Sequence, residues 1–202
     1  MSRPFAREKI KPVLIRLVAP ISNNLEGVLA AKPIVALKNA VFKPSRMIQM
    51  RLDGFENLED LPNLENYSVR TYRQGDEEIW VRLVKRSFGG YYHADIAEIC
   101  EDKEFNPNGF FFLTFHNQTV GTIYAKQLRD RSSKIGCIHM LCVVPEHRGK
   151  HLGHYLVLYA LYYFKKIGIK SVVLIVDEFN EIAIKTYLST GFKPNLVHGQ
   201  SD

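Results

Sequence analysis

Residues 142–156, CVVPEHRGKHLGHYL, leave an apolar strand at a proline, gather basic residues and glycines, and run straight into a long apolar helix. A strand that passes this abruptly into a helix presents unpaired backbone N–H groups at the helix start, where the helix dipole is positive. Such a junction is a ready site for phosphate or another anion. Arg148 and Lys150 add mobile positive charge, while Gly149 and Gly153 remove side chains that would hold a ligand off the backbone. The same residues also suit a plain tight turn, with packing glycines and solvated basic side chains. The choice between the two depends on the rest of the chain.

From residue 67 the pattern is regular. YSVRTYR (67–73) predicts a strand, followed by a helix over 76–87 with Asp76, Glu77 and Glu78 at its positive end and Lys85 and Arg86 at its negative end. A second helix is expected over 94–101. GFFFLTFHNQTVGTIYAKQL predicts two strands joined at His116-Asn117-Gln118. KIGCIHMLCVV predicts another strand, ended by Pro145, and a helix follows over 149–167 with Gly168 as its exit. KSVVLIV is a buried strand, EIAIKTYLST a helix and FKPNLVH a last short strand. The order βααβββαβαβ implies an α/β fold: a mixed, mostly antiparallel sheet flanked by helices. Residues 1–66 are irregular and proline-punctuated, although SNNLEGVLAAK suggests a helix and RMIQMRL alternates like a strand. The domain division expected is therefore a basic N-terminal extension, 1–66, and a main domain, 67–202.

Composition narrows the class. The 46% hydrophobic and 24% charged content is that of a globular protein. No apolar run reaches the roughly 18 residues of a membrane helix. The basic, then apolar start is interrupted by Arg16 and Pro20 and lacks a nearby small-residue cleavage site, so it reads as mature protein. Three cysteines, Cys100, Cys137 and Cys142, form no metal-like pair and no even disulfide set. Reduced thiols, a cytoplasmic location and no metal are the expectation. Residues 1–52 hold 10 of the 27 Lys/Arg and 2 of the 21 Asp/Glu, so the excess positive charge belongs to the N-terminal quarter. Its basic residues are dispersed, which favours a solvated face over a nucleic-acid arm.

A second stretch, NEIAIKTYLSTGF, sets Asn180, Ala183 and Tyr187 on one helical face before Gly191 and Phe192 return the chain to the sheet. VVPEHRGKHLG and NEIAIKTYLSTGF together resemble the two signature segments of the GNAT superfamily, the coenzyme-A-dependent N-acyltransferases. The intervening helix and strand, and the order of elements from residue 67, resemble it too. RTYRQGDE and FNPNGFFFLTFHNQTVG are similar to the branch of that superfamily containing mycothiol synthase. The resemblance covers residues 67–196.

The resemblance implies acetyl-CoA as acyl donor. Backbone around Leu141, Cys142 and Val143 would hydrogen-bond the pantetheine arm and polarise the thioester. The loop and first helical turn, Arg148, Gly149, Lys150, His151, Leu152, Gly153 and His154, would hold the pyrophosphate. Asn180 would face the pantetheine, and Tyr187 would sit near the sulfur as proton donor. One departure from the family pattern is His151, which stands where the first of two glycines belongs. Helical backbone angles would let it keep the amide cradle. The attacking amine must lose a proton, and His139, with an ordinary pKa near 6.5, is the candidate base. Strand alternation would put it on the face of Leu141. Packing beside the core is the other reading of His139, and Cys142 reads as core rather than nucleophile. Tyr91, Tyr92 and His93, in FGGYYHAD, stand where the family builds its acceptor pocket.

The leading expectation is an acetyl-CoA-dependent N-acetyltransferase acting on a primary amine by direct attack in a ternary complex. The alternative from another class is a non-catalytic acyl-CoA-binding module, which His151 keeps open. The partner expected is a small-molecule or peptide amine, with homodimerisation left open and neither nucleic acid nor membrane favoured.

Overall fold

Phe115 and Gln118 face each other across a two-residue turn in which His116 and Asn117 both have positive φ, 44° and 67°. A turn of that hand matches the twist of the strands it joins. It links β3 (Phe110–Phe115) to β4 (Gln118–Gln127), the hairpin expected from the sequence. The computed structural model describes residues 47–55, 57–88, 105–128 and 134–195.

Around this hairpin lie β1 (Met47–Asp53), β2 (Tyr67–Thr71), β5 (Ile135–Val143), β6 (Ser171–Asp177) and the two-residue β7 (Lys193–Pro194). They form one sheet of seven strands in the order β2-β3-β4-β5-β6-β1-β7. Only β5 and β6 pair in parallel; every other neighbouring pair is antiparallel. Among the described residues the helices are α1 (Glu77–Phe88), α2 (Leu152–Lys166) and α3 (Glu181–Ser189). This is the mixed sheet flanked by helices that the sequence predicts. The helix expected over 94–101 and that of SNNLEGVLAAK lie outside the described residues.

Asp76 opens α1: its carboxylate accepts the Arg73 N–H at 2.7 Å and its carbonyl takes the Trp80 N–H at 2.8 Å. Trp80, Leu83 and Val84 are the buried face of this helix. On the opposite side of the sheet lies α2, which buries Leu152, Leu156, Val157, Leu158, Ala160, Leu161 and Phe164. A Cβ at Gly136 would come within 2.5 Å of the Phe164 ring, so β5 needs a glycine there for the helix to sit down. α3 packs against α2 on that same side and buries Tyr187.

The sequence boundary at residue 66 leaves out a strand that the sheet includes. β1 pairs with β6 over its whole length, from Met47 opposite Asp177 to Asp53 opposite Ser171. Met50 on β1 is fully buried in the common core. A strand this far upstream carries no local mark of its partner, so alternation in RMIQMRL shows the strand but not its place.

Candidate active site

β5 and β6 pair only from Ile135 opposite Ser171 to Cys137 opposite Val173, and then part. Both continue, to Val143 and to Asp177, so the second half of each borders a gap. Val144 donates to the Val120 carbonyl at 2.9 Å, and alternation therefore turns the backbone groups of Val143 away from β4, toward the gap. Cys142, opposite Thr122, is a buried core position. Burial pushes its thiol up to about 11 and that of Cys137 up to about 12, so neither is a ready thiolate at neutral pH.

The β4–β5 register shifts between Thr122 and Tyr124 of β4, which face Cys142 and His139 of β5, and Met140 takes a φ of 54°. This bulge inserts one residue and reverses the alternation beyond it. His139 pairs with Tyr124, which shares a face with Thr122 and hence with Cys142. Leu141 shares the other face with Val143. The expectation that His139 and Leu141 lie on one face is therefore corrected. The ring of His139 keeps some surface but lies deep in the fold, and burial, aided by the Lys126 ammonium, pushes its pKa down to about 4. A base at neutral pH works best with a pKa near 7, and His139 does not match that task.

At the head of α2 the chain makes a 3₁₀ turn (Pro145–His147) and then an open arc. The N–H groups of His147 and Arg148 bond Val144 and Pro145, and that of Tyr155 bonds His151. Among the described residues, none of the six N–H groups from Gly149 to His154 has a protein acceptor. Gly149 has a φ of 75° and open space where a Cβ would stand, so its role is backbone conformation. His151 is the N-cap of α2 at φ 55°, ψ 17°. It is left-handed rather than helical, which corrects the expectation that this position makes no demand for glycine. The predicted helix start at 149 moves to 152 for the same reason.

The positive charge of this turn is not mobile. The Arg148 guanidinium bonds two protein carbonyls, those of Val143 and Ser87. Lys150 donates to the Tyr67 hydroxyl at 3.3 Å, and that hydroxyl lies 2.9 Å from Nδ1 of His147. Both ring nitrogens of His154 are engaged, one with Ser189 at 3.0 Å and the other with Glu59, so only its backbone is left for a ligand. No pattern in the sequence marks Tyr67, Ser87 or Glu59, because each meets the turn from a distant element.

Asn180 caps α3, its Oδ1 accepting the Ala183 N–H at 3.1 Å. Tyr187, two turns along, is 7% exposed and stands edge-on to Phe192. Burial, with a smaller contribution from Cys137, raises its pKa above the usual phenol value, so it holds its proton at pH 7. Tyr91, Tyr92 and His93 lie outside the described residues.

The fold agrees with what known proteins show. The family model for the acetyltransferase (GNAT) family matches residues 65–192, well over half the chain. The chain belongs to the GNAT acetyltransferase family. It is 27% identical over 203 residues to a mycothiol acetyltransferase of Acidothermus cellulolyticus, covering 91% of this chain and 62% of that protein. To the mycothiol acetyltransferase of Thermobispora bispora it is 33% identical over 138 residues, 63% of this chain and 47% of that one. The chain thus spans about half to two thirds of the length of these relatives. Its fold is similar to the crystal structure of a GCN5-related N-acetyltransferase from Sphaerobacter thermophilus, with a TM-score of 0.63 at 19% identity over 75% of this chain and 50% of that one. Among the described residues no helix is long and apolar enough to cross a membrane.

Proposed function

We propose that this chain binds acetyl-CoA between β5 and β6 and transfers its acetyl group to a primary amine by direct attack. The observation that carries this reading is the arc of six N–H groups, Gly149 to His154, unpaired among the described residues, beside the point where the two strands part. Unpaired amides at the head of α2 suit a pyrophosphate, because they supply oriented donors and the positive end of a dipole. The Val143 N–H and the backbone of Leu141 suit the amides of a pantetheine arm. With its oxygen committed to the cap, Asn180 has its amide nitrogen left for the same arm.

In the transfer, the amine nitrogen bonds to the acetyl carbon, the carbon–sulfur bond breaks, and the sulfur takes a proton as the thiol leaves. Tyr187, protonated at pH 7, is the group proposed to give that proton, and solvent restores it. The proton lost by the amine goes to water, since burial leaves His139 a weak base. That loss of the one sequence-marked base favours the binding-only alternative as the competing outcome. The relatives' name makes mycothiol-related amines the first acceptors to try.

The test has two stages. Coenzyme A should raise the melting temperature, since a ligand that binds only the folded state stabilises it by mass action. Amine panels with acetyl-CoA should then release thiol. No thermal shift at millimolar coenzyme A would overturn the cofactor assignment; a shift without turnover on any amine would leave the binding module.

A further inference from the structure

Arg148 Nε donates to the Val143 carbonyl at 2.9 Å, and its Nη2 donates to the Ser87 carbonyl at 2.6 Å. Val143 ends β5, and Ser87 lies in the last turn of α1. One planar group thus ties a strand end and a helix end to the turn that leads into the amide arc. The carbonyls in the last turn of a helix lack partners within it and carry its negative end, so a guanidinium is well placed there. Arg86 and Glu146 join the same two regions again, at 3.0 Å. That pair is largely exposed and weak by itself.

We infer that Arg148 is a positioning residue: its fork holds the turn so that the N–H groups of Gly149 to His154 converge on one anion, without itself touching that anion. The inference deepens the acetyl-CoA reading and rests on it. Two of the three guanidinium nitrogens are committed to protein carbonyls on separate elements. Their cost of ordering is met in folding, so the arc is set before a ligand arrives. Lysine carries the same charge but is a single point donor and cannot span both carbonyls.

This separates the fork from a direct phosphate contact. Coenzyme A is titrated calorimetrically, at two ionic strengths, into the full chain and its Arg148→Ala and Arg148→Lys variants. Both variants should bind at least about tenfold more weakly and to a similar extent, as expected for lost hydrogen bonds to a charged group. The salt dependence of binding should stay that of the wild type, because no charge is removed from contact with the ligand. Amide exchange in residues 85–88 and 144–150 should quicken in both variants. An Arg148→Lys protein with wild-type affinity beside a crippled Arg148→Ala would overturn the inference in favour of a charge contact. Wild-type affinity in both would reduce the fork to a stabilising contact. If the wild type binds no coenzyme A, the acetyltransferase reading fails; unchanged exchange in the variants would then independently overturn the fork.

Discussion

Asp76 receives both terminal nitrogens of Arg70 on its two carboxylate oxygens, at 2.6 and 2.8 Å, while the Arg70 guanidinium lies 5.0 Å from the centre of the Phe112 ring. The pair fastens the start of α1 to β2. Burial alone would raise the Asp76 pKa, but the Arg70 fork and the Arg73 N–H outweigh it and hold the carboxyl below its ordinary value. A depressed folded pKa stabilises the protein fully above the unfolded value of about 3.9, and that contribution is lost as pH falls through the folded value. Asp76→Asn should therefore cost about 1–3 kcal/mol at pH 7, with the gap to wild type closing below about pH 4. Urea melts at pH 7 and pH 3 decide it, and an equal gap at both would refute the pairing argument.

His151→Gly is expected to stabilise the protein. A side chain in the left-handed region costs roughly 1–2 kcal/mol, and glycine removes most of that while adding some unfolded-state freedom. The net gain should be about 1 kcal/mol, with coenzyme A affinity equal to or tighter than wild type. Thermal melts with and without coenzyme A read both quantities. A destabilised variant would mean that the imidazole makes contacts worth more than its strain.

The sequence sets residues 1–66 apart as an extension, yet β1, which lies within them, pairs with β6 over its whole length. Removing residues 1–54 should leave β6 with an open edge and the core without Met50, giving aggregation or an unfolded chain. Met50→Ala in the full chain should cost about 2–5 kcal/mol, the range for large-to-small changes in a core. A folded, monomeric deletion variant with a cooperative melt would show that the sheet tolerates the loss of β1.

Tyr187→Phe removes the hydroxyl and keeps the ring beside Phe192. A proton donor at the sulfur predicts unchanged coenzyme A binding and a rate roughly 10²- to 10⁴-fold lower, the usual range for general acid catalysis. Equal rates, measured where chemistry limits turnover, would make Tyr187 a packing residue alone.

What could be read in the sequence was what local chemistry decides. The hairpin at His116 and Asn117, the acidic head of α1 and the exit of α2 at Gly168 each follow from a few adjacent residues. The Met140 bulge escaped because neither glycine nor asparagine marks it, and with it went the face assigned to His139. The cradle was legible as a strand-to-helix junction, but its left-handed step at His151 was not, since the usual glycine is missing. Arg148 was legible as a charge and not as a fork. Its acceptors, Val143 and Ser87, are backbone carbonyls, which any residue supplies, so no side chain advertises them.

β1 and β6 pair across separations of 118 to 130 positions. On a ribosome adding about 5–20 residues per second, β1 waits roughly 6 to 26 s before the last of its partner has even been made. Through that interval it is an alternating strand with no neighbour, open to pairing with other chains. Long-range pairing of this kind also slows folding, because a large loop must close before the contact repays it. The first of the described strands thus finds its place only after β6 is made.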